Sequence, residues 1–298
     1  MYPYLAARLF DTPLLAHPGK AAAVAEALAP RLLGLPAAAM AAPRLGHTAR
    51  ARQLMGELGD PLEERVPDIY ALYRIGAVAV ISVEGTLVHK GKWIGANSGE
   101  TSYEGLRRQI NAAMADMSVR GVVFEVDSCG GEVSGAFDVA EAAYELSQAK
   151  PTISILTDCA YSAGYLIAAA ARQVVLPETG GAGSIGVVAL HADYSKAQDM
   201  AGIKVTVLEA GVHKAEGNPF QPLPDSVAEA WISEMESTRQ IFAKTVSRFR
   251  GSRLSYEAAM ATEAQCYSGE AAVAAGLADA VARPSEAFAA FLTEIEGG

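Results

Sequence analysis

Residues that build cross-links and metal sites are scarce in this sequence of 298 residues. It contains three cysteines and five histidines. The cysteines, Cys129, Cys159 and Cys266, form no CxxC pair, and the histidines show no HxxxH or HExxH spacing. This scarcity argues against a disulfide framework and a structural zinc, and it favours a reducing compartment. We expect neither a metal nor another cofactor.

Positive charge is also scarce. Lys and Arg together number 24, against 34 Asp and Glu, so the formal net charge is −10. Nucleic-acid binding requires a basic surface that displaces counterions from phosphates, and the net acidity argues against that class of protein. Hydrophobic residues make up 51% and charged residues 19%, a balance that excludes a disordered chain and supplies a large core.

The sequence has no long apolar run. Its most apolar stretch, residues 21–42, is interrupted by Glu26, Pro30, Arg31 and Pro36, so it falls short of the ~20 apolar residues that a membrane span requires. The first residues lack the basic region and apolar core of a signal peptide. We therefore expect a cytoplasmic protein without stable membrane insertion.

The chain divides into three parts by composition. Residues 1–70 are rich in proline and alanine and show no β-run, which is typical of a surface arm, with short helices predicted at 21–28 and 50–58. Residues 71–285 carry the regular patterns of a folded domain. Residues 286–298 form a short C-terminal tail.

β-branched runs alternate with helical periodicity from residue 75 onward. The predicted strands cover residues 78–83, 121–126, 152–157, 174–176, 185–189 and 204–208. The predicted helices cover residues 103–117, 135–149, 161–171, 225–250, 255–262 and 269–275. This alternation predicts an α/β fold with a parallel sheet, and the wholly apolar helix at 161–171 is expected to be buried.

A glycine pair follows the strand predicted at 121–126, in the sequence DSCGGEV. Because Gly130 and Gly131 have no side chains, the backbone there can approach a ligand closely and present its N–H groups. An ordinary turn between a strand and a helix explains the same pattern. The GxGxxG spacing at 181–186 leads into a strand and not into a helix, so it gives little support for a dinucleotide site.

Ser162 is predicted to lie where a strand meets the start of the apolar helix. A hydroxyl at that position sits at the positive end of the helix dipole, and the N–H of Ala163 points towards the same place. These features suit a nucleophile whose attack produces an oxyanion. A plain N-cap serine is the alternative.

The segment EAGVHKAEGNPF, residues 209–220, contains two candidate bases. Lys214 can accept a proton only if it is uncharged, which burial favours. His213 is the competing base, and it would need Glu209 or Glu216 to orient it. Solvated loop side chains are the ordinary alternative for both residues.

Together, these segments resemble the SppA-type serine peptidases, the signal peptide peptidase A family. The matching motifs are the GGEV turn, YSAGY around Ser162, GSIGV, DYSKA and GVHK around Lys214, in the family's order and spread over residues 78–282. Within the family, three stretches are similar to the phage and prophage capsid assembly, or head maturation, proteases. These stretches are LFDTPLLAHPGKAAAV, HKAEGNPFQPLP and CYSGEAAVAAGLADAV.

The resemblance implies a ClpP/crotonase-like fold of stacked ββα units with flanking helices, and a Ser–Lys dyad. It assigns Ser162 as nucleophile, Lys214 as general base, the N–H groups of Gly131 and Ala163 as the oxyanion hole, and Ser184 as the residue that positions the lysine. It also implies an extended peptide or protein substrate, such as a phage scaffold or portal protein, and a homo-oligomer. Cys129 stands where the family usually has proline, and this is expected to loosen the turn.

Two alternatives remain open from the sequence. The first is a host peptidase of the same mechanism that degrades signal peptides, a role that usually comes with a membrane anchor. The second is an acyl-thioester enzyme of the crotonase type or a non-catalytic assembly platform, but no cationic cluster for a nucleotide is evident in the sequence.

Overall fold

A computed structural model describes residues 14–16, 72–90 and 99–297 of the chain. In these residues the β-branched runs form the strands of one sheet. The strands are β1 (Leu14–Ala16), β2 (Tyr73–Ile75), β3 (Val78–Val88), β4 (Glu100–Ser102), β5 (Gly121–Glu132), β6 (Thr152–Tyr161), β7 (Gln173–Leu176), β8 (Gly181–Gly183), β9 (Cys266–Ser268) and β10 (Ala280–Val281). The helices are α1 (Tyr103–Ala115), α2 (Ala136–Ala149), α3 (Ala163–Ala168), α4 (Ser195–Met200), α5 (Asp225–Arg250), α6 (Tyr256–Ala261), α7 (Gly269–Ala274) and α8 (Pro284–Gly297).

The sheet has the order β10–β7–β6–β5–β3–β2. Its strands from β10 to β3 pair in parallel, and β2 closes the edge as an antiparallel hairpin with β3. Beyond this path, β8 pairs in parallel with the end of β6, and β9 pairs antiparallel with β8. The predicted α/β class with flanking helices is therefore confirmed.

Both faces of the sheet are covered by helices. On one face a large apolar cluster joins the strands to α1, α2, α3 and α5, and all six residues of α3 are buried. On the other face, Phe288, Phe291 and Ile295 of α8 pack on Val123 and Ile153. This double cover explains why the central strands are nearly continuous apolar runs.

Most predicted elements are present with small changes in their limits. The strands that start at residues 78, 121 and 152 run on to Val88, Glu132 and Tyr161. The helix predicted at 161–171 is shorter and begins at Ala163. The helix predicted at 225–250 has those limits.

Three predictions about strands were wrong. Residues 204–208 form no strand, because a strand needs a partner for its backbone groups and these residues have none among the described parts of the chain. The strand predicted at 185–189 is reduced to a single bridge at Val188. The first 70 residues do contain a strand, β1, which pairs with β5.

The division into arm, domain and tail stays a prediction. The described residues of the expected tail, 286–297, lie in α8 and contribute to the core. The helices predicted at 21–28 and 50–58 fall outside the described residues. Among the helices that are described, none combines the length and apolarity needed to cross a bilayer.

A buried ion pair fixes the end of α5 to the sheet. The guanidinium of Arg250, which is fully buried, donates to both carboxylate oxygens of Asp279 at 2.8 and 3.0 Å. The same carboxylate accepts the N–H of Val174 in β7 and a bond from Arg253. Burial alone would raise the pKa of Asp279, but these bonds and the charges of Arg250 and Arg253 outweigh it and lower the pKa below its usual 3.8.

The variant Asp279→Asn removes the carboxylate charge and leaves Arg250 buried without its partner. We expect its free energy of unfolding at pH 7 to be lower than that of the wild type by about 3 kcal/mol. Because the pKa of Asp279 is lowered on folding, its contribution is complete at neutral pH and is lost as the pH falls through the folded-state pKa. The difference in urea unfolding between wild type and variant should therefore narrow below about pH 4.

A matched control is Asp199→Asn, which changes an exposed aspartate. It should alter the free energy of unfolding by less than about 0.5 kcal/mol. If Asp279→Asn were as stable as this control at pH 7, the assigned role of the ion pair would be wrong.

Candidate active site

Ser162 lies at the sharp junction between β6 and α3. Its backbone has φ 55° and ψ −121°, in the left-handed region that non-glycine residues rarely adopt. Its N–H donates to the carbonyl of Gly183 at 2.9 Å, and its carbonyl accepts the N–H of Leu166 at 2.9 Å. The strained backbone is thus fixed from both sides, as is typical of functional residues.

The hydroxyl of Ser162 is buried and has no hydrogen-bond partner among the described residues. An unpartnered buried hydroxyl costs about 1–3 kcal/mol, and native proteins tolerate few such groups. A plain N-cap serine would donate or accept a bond at its own helix, and Ser162 makes no side-chain cap bond. The arrangement therefore favours a reactive serine over a capping one.

The glycine turn of β5 touches the start of α3. A methyl group built on Gly130, which has φ 97°, would lie 2.9 Å from Cβ of Ser162. A methyl group on Gly164 would lie 2.8 Å from the carbonyl oxygen of Ser128, in the residues that lead into the turn. The two segments can approach this closely only because neither glycine has a side chain.

Ser128, which the sequence analysis missed, holds this turn in place. Its buried hydroxyl donates to the carbonyl of Gly85 at 2.7 Å and accepts the N–H of Gly130 at 3.1 Å. A serine two residues before a turn glycine is a recognised turn-forming pattern, so the sequence did contain an indication of this role. The bond also occupies the N–H of Gly130, which leaves Gly131 as the turn's candidate donor to an oxyanion.

Ala163 is the first residue of α3, so its N–H has no acceptor within the helix. It lies next to Ser162, at the positive end of the helix. The structure thus brings three of the predicted site residues together: Ser162, Ala163 and Gly131. Their roles in stabilising an oxyanion stay predictions.

Ser184 adjoins the same junction. It follows Gly183, whose carbonyl binds the N–H of Ser162, and it too has a positive φ, 57°. Its side chain is buried and hydrogen-bonds to the thiol of Cys266. Burial raises the pKa of that thiol and the bond from Ser184 lowers it, with burial the larger effect.

Two of the three thiols also meet beside the glycine turn. The sulfur atoms of Cys129 and Cys159 are 3.8 Å apart, and none of the three cysteines forms a disulfide. A hydrogen bond with Cys129, together with burial, raises the pKa of Cys159 far above its usual range. A thiol that stays protonated is a weak nucleophile, so Cys159 is a poor candidate nucleophile at this site.

The two candidate bases lie on an exposed turn. The side chains of Lys214 and His213 are exposed, and neither is hydrogen-bonded to the hydroxyl of Ser162 in this single chain. Nδ1 of His213 lies 2.7 Å from Glu216. The hydrogen bond and charge of Glu216, with the charge of Glu209, raise the pKa of His213. The structure therefore places the candidate nucleophile beside the glycine turn and leaves both candidate bases exposed.

Within the described ranges, no group of three or more His, Cys, Asp or Glu side chains is placed to hold a metal ion. The candidate site itself consists of a hydroxyl and backbone N–H groups. This donor set suits acyl chemistry on a carbonyl.

Comparison with known protein families finds a match to Peptidase family S49 over residues 144–294. The chain belongs to this family. The matched residues include Ser162, Ser184 and Lys214.

Two curated relatives are phage proteins. The chain is 35% identical over 286 residues to the capsid assembly protease C of Escherichia phage lambda, covering 96% of this chain and 64% of the relative. It is 34% identical over 294 residues to the head-tail preconnector protein GP5 of Enterobacteria phage P21, covering 98% of this chain and 57% of the relative. The chain thus spans about three fifths of the length of these two relatives.

A solved structure that resembles the chain is that of an enoyl-CoA hydratase/isomerase family member. It is 14% identical, with a TM-score of 0.43 over 76% of this chain and 75% of the other. Overlap at this level supports no inference about substrate or mechanism.

The variant Gly130→Ala tests the contact between the glycine turn and Ser162. Its new methyl group would meet Cβ of Ser162 at 2.9 Å and the carbonyl oxygen of Leu15 at 2.0 Å. We expect the free energy of unfolding, measured in urea, to fall by about 2–4 kcal/mol, from crowding and the positive φ together.

The control is Gly202→Ala, which has φ 67° and nothing within 4 Å of the added methyl group. Its free energy of unfolding should fall by only about 1–2 kcal/mol, because alanine is unfavourable at a positive φ. Equal losses of stability in the two variants would show that the turn does not press against Ser162.

Proposed function

We propose that the chain is a serine endopeptidase in which Ser162 is the nucleophile and Lys214 the general base. The observation that carries this proposal is the buried, unpartnered hydroxyl of Ser162 on a strained backbone, in contact with a glycine turn. Membership of Peptidase family S49 supports it. The two phage relatives, one of them named a protease, support it further.

In the first half of the reaction, Ser162 Oγ attacks the carbonyl carbon of the substrate while the uncharged amine of Lys214 accepts the hydroxyl proton. Negative charge then develops on the carbonyl oxygen. The N–H groups of Gly131 and Ala163 stabilise that charge by hydrogen bonds. Because both groups belong to fixed backbone, little reorganisation is needed as the charge forms.

In the second half, the lysine gives its proton to the departing amine, and the acyl group remains as an ester on Ser162. Water then attacks the ester, with the lysine again accepting a proton. Release of the carboxylate restores the serine. Ser184, adjacent to the Ser162 junction, would hydrogen-bond to the amine and position it.

For this mechanism the amine of Lys214 must be shielded from water, so that it is uncharged and can accept a proton. The segment that precedes it exposes apolar side chains: Leu208 is 89% and Val212 78% exposed, and Ile203 is also exposed. Association with a second copy of the chain would cover these side chains, and burial favours the uncharged form of a nearby amine. We therefore propose that the active form is a homo-oligomer.

The names of the two phage relatives support a role for the proposed activity in head assembly. The substrates would be extended segments of scaffold or portal proteins, cut in the host cytoplasm or inside the procapsid. A host enzyme that degrades signal peptides remains the alternative role for the same chemistry. Recovery of the protein from washed membranes would favour that alternative.

A second candidate base is His213. Its pairing with Glu216 at 2.7 Å is the arrangement that a Ser–His mechanism uses to orient the imidazole. However, the raised pKa of His213 keeps more of it protonated at neutral pH, and a protonated histidine cannot accept the serine proton.

Single substitutions distinguish the two bases. Lys214→Ala should reduce hydrolysis of a fluorogenic peptide or of casein by about 100-fold or more, since general-base catalysis contributes that much. His213→Ala, its neighbour on the same turn, should retain most of the activity. The reverse result would replace the Ser–Lys dyad with a Ser–His pair.

Ser162→Ala should have opposite effects on activity and stability. It abolishes hydrolysis because the nucleophile is gone. It also removes a buried hydroxyl that has no partner, so thermal and urea unfolding should show unchanged or higher stability, by up to about 1 kcal/mol. A variant that still hydrolyses peptides would show that Ser162 is not the nucleophile, and a large loss of stability would assign the hydroxyl a structural role.

A further inference from the structure

Strand β1 lies in a groove between two other backbone segments. On one edge it pairs antiparallel with the glycine turn of β5, with Leu14 opposite Glu132, Leu15 opposite Gly131 and Ala16 opposite Gly130. On its other edge Leu14 exchanges two hydrogen bonds with Val188, at 2.8 and 2.9 Å. A three-residue segment held along both edges is bound in the way that a groove binds an extended peptide.

The direction of the backbone groups places one carbonyl at the candidate site. Successive residues of a strand point their N–H and C=O groups to opposite edges. Since those of Leu14 point to Val188, those of Leu15 point to the glycine turn. A methyl group on Gly130 would lie 2.0 Å from the carbonyl oxygen of Leu15, 3.0 Å from its carbonyl carbon and 2.9 Å from Cβ of Ser162. The Leu15 carbonyl and the Ser162 side chain therefore both lie next to Gly130.

The two leucine side chains of β1 are also buried in the protein. Leu15 is fully buried in the large apolar cluster, and Leu14 is 5% exposed. Burial of a leucine side chain contributes about 1.5–3 kcal/mol, so the segment is bound by its side chain as well as by its backbone. A loop that merely passed over the surface would not place a leucine there.

We propose that Leu14–Ala16 is the enzyme's own first substrate and that Ser162 cleaves the peptide bond between Leu15 and Ala16. This inference rests on the proposed function. Ser162 Oγ bonds to the carbonyl carbon of Leu15, the bond to the nitrogen of Ala16 breaks, and that nitrogen leaves as an amine with the proton taken from the serine. Water then hydrolyses the Leu15 ester. One water is consumed, and the products are residues 1–15 and a chain that begins at Ala16.

Cleavage between Leu15 and Ala16 would also change the groove in which β1 lies. While β1 is in place, it occupies the edge of Gly130–Glu132 that another peptide would need. Cleavage divides the strand, so each piece keeps only part of its pairing and can dissociate. Self-cleavage therefore opens the groove to other substrates, and it predicts a preference for leucine immediately before the cut.

The test uses the full chain, purified and incubated at neutral pH, with intact mass and N-terminal sequencing followed over time. The wild type should convert to a species that begins at Ala16, and Ser162→Ala should stay at full length. Hydrolysis of casein is measured on the same samples. If the wild type hydrolyses casein while its own chain stays whole or is cut elsewhere, the inference is wrong and the proposed function stands.

A second variant is needed if the wild type neither cleaves its own chain nor hydrolyses casein. Leu15→Asp places a carboxylate in a buried apolar position, which should displace β1 and slow the cut by more than about 100-fold. It should still hydrolyse casein, because the groove is then open. If it hydrolyses casein while the wild type cuts neither casein nor itself, β1 is an uncut inhibitor and the inference fails. If it too is inactive, the proposed function fails, and the inference with it.

The matched control is Met117→Asp, which introduces the same charge at a position that is 89% exposed. It should process its own chain at the wild-type rate. An equal slowing in both variants would show that added charge, and not displacement of β1, causes the effect, and this would overturn the assignment of Leu15.

Discussion

The close approach of two backbone turns is the constraint on which the site depends. The glycine turn of β5 and the start of α3 touch at Gly130 and Ser162, where one added methyl group would lie within 2.9 Å of the serine Cβ. Parallel pairing of β5 with β6 brings the turns together, and Ser128 fixes one of them to Gly85. The same contact brings the glycine turn against the side chain of Ser162. The geometry at Ser162 is therefore a consequence of sheet packing, and the surrounding core stabilises the strained residue.

The described chain brings together only one part of the proposed site. Ser162, the proposed nucleophile, is buried beside the glycine turn, while Lys214 is exposed on a turn beside exposed apolar side chains. With Lys214 as the proposed general base, this separation would couple activity to assembly, because the serine has no base until Lys214 is brought in and desolvated. In the proposed mechanism, occupation of the groove by β1 would add a second restraint on early activity.

Much of the fold was predictable, because residues buried on both faces of a parallel sheet must form continuous apolar runs. Ser162 could also be predicted as a candidate from the sequence, since a serine before a buried helix and among small residues is an unusual combination. Strand β1 was not, because Leu-Leu-Ala has no periodicity of its own and its pairing is set by Gly130 and Val188, more than 100 residues away. For residues 204–208 the error was the reverse: a strand was predicted and none is present. Their composition suits a strand, but pairing is a property of the partner, and the described chain supplies none.

The most direct test of the central claim is labelling of the folded wild type with a fluorophosphonate, which reacts with activated serines, followed by mapping of the adduct by tandem mass spectrometry. The account predicts a single adduct, on Ser162, which forms far more slowly when Lys214 is replaced by alanine and when the protein is diluted until it dissociates. An adduct on another residue, or no adduct on a protein that hydrolyses peptides, would contradict it.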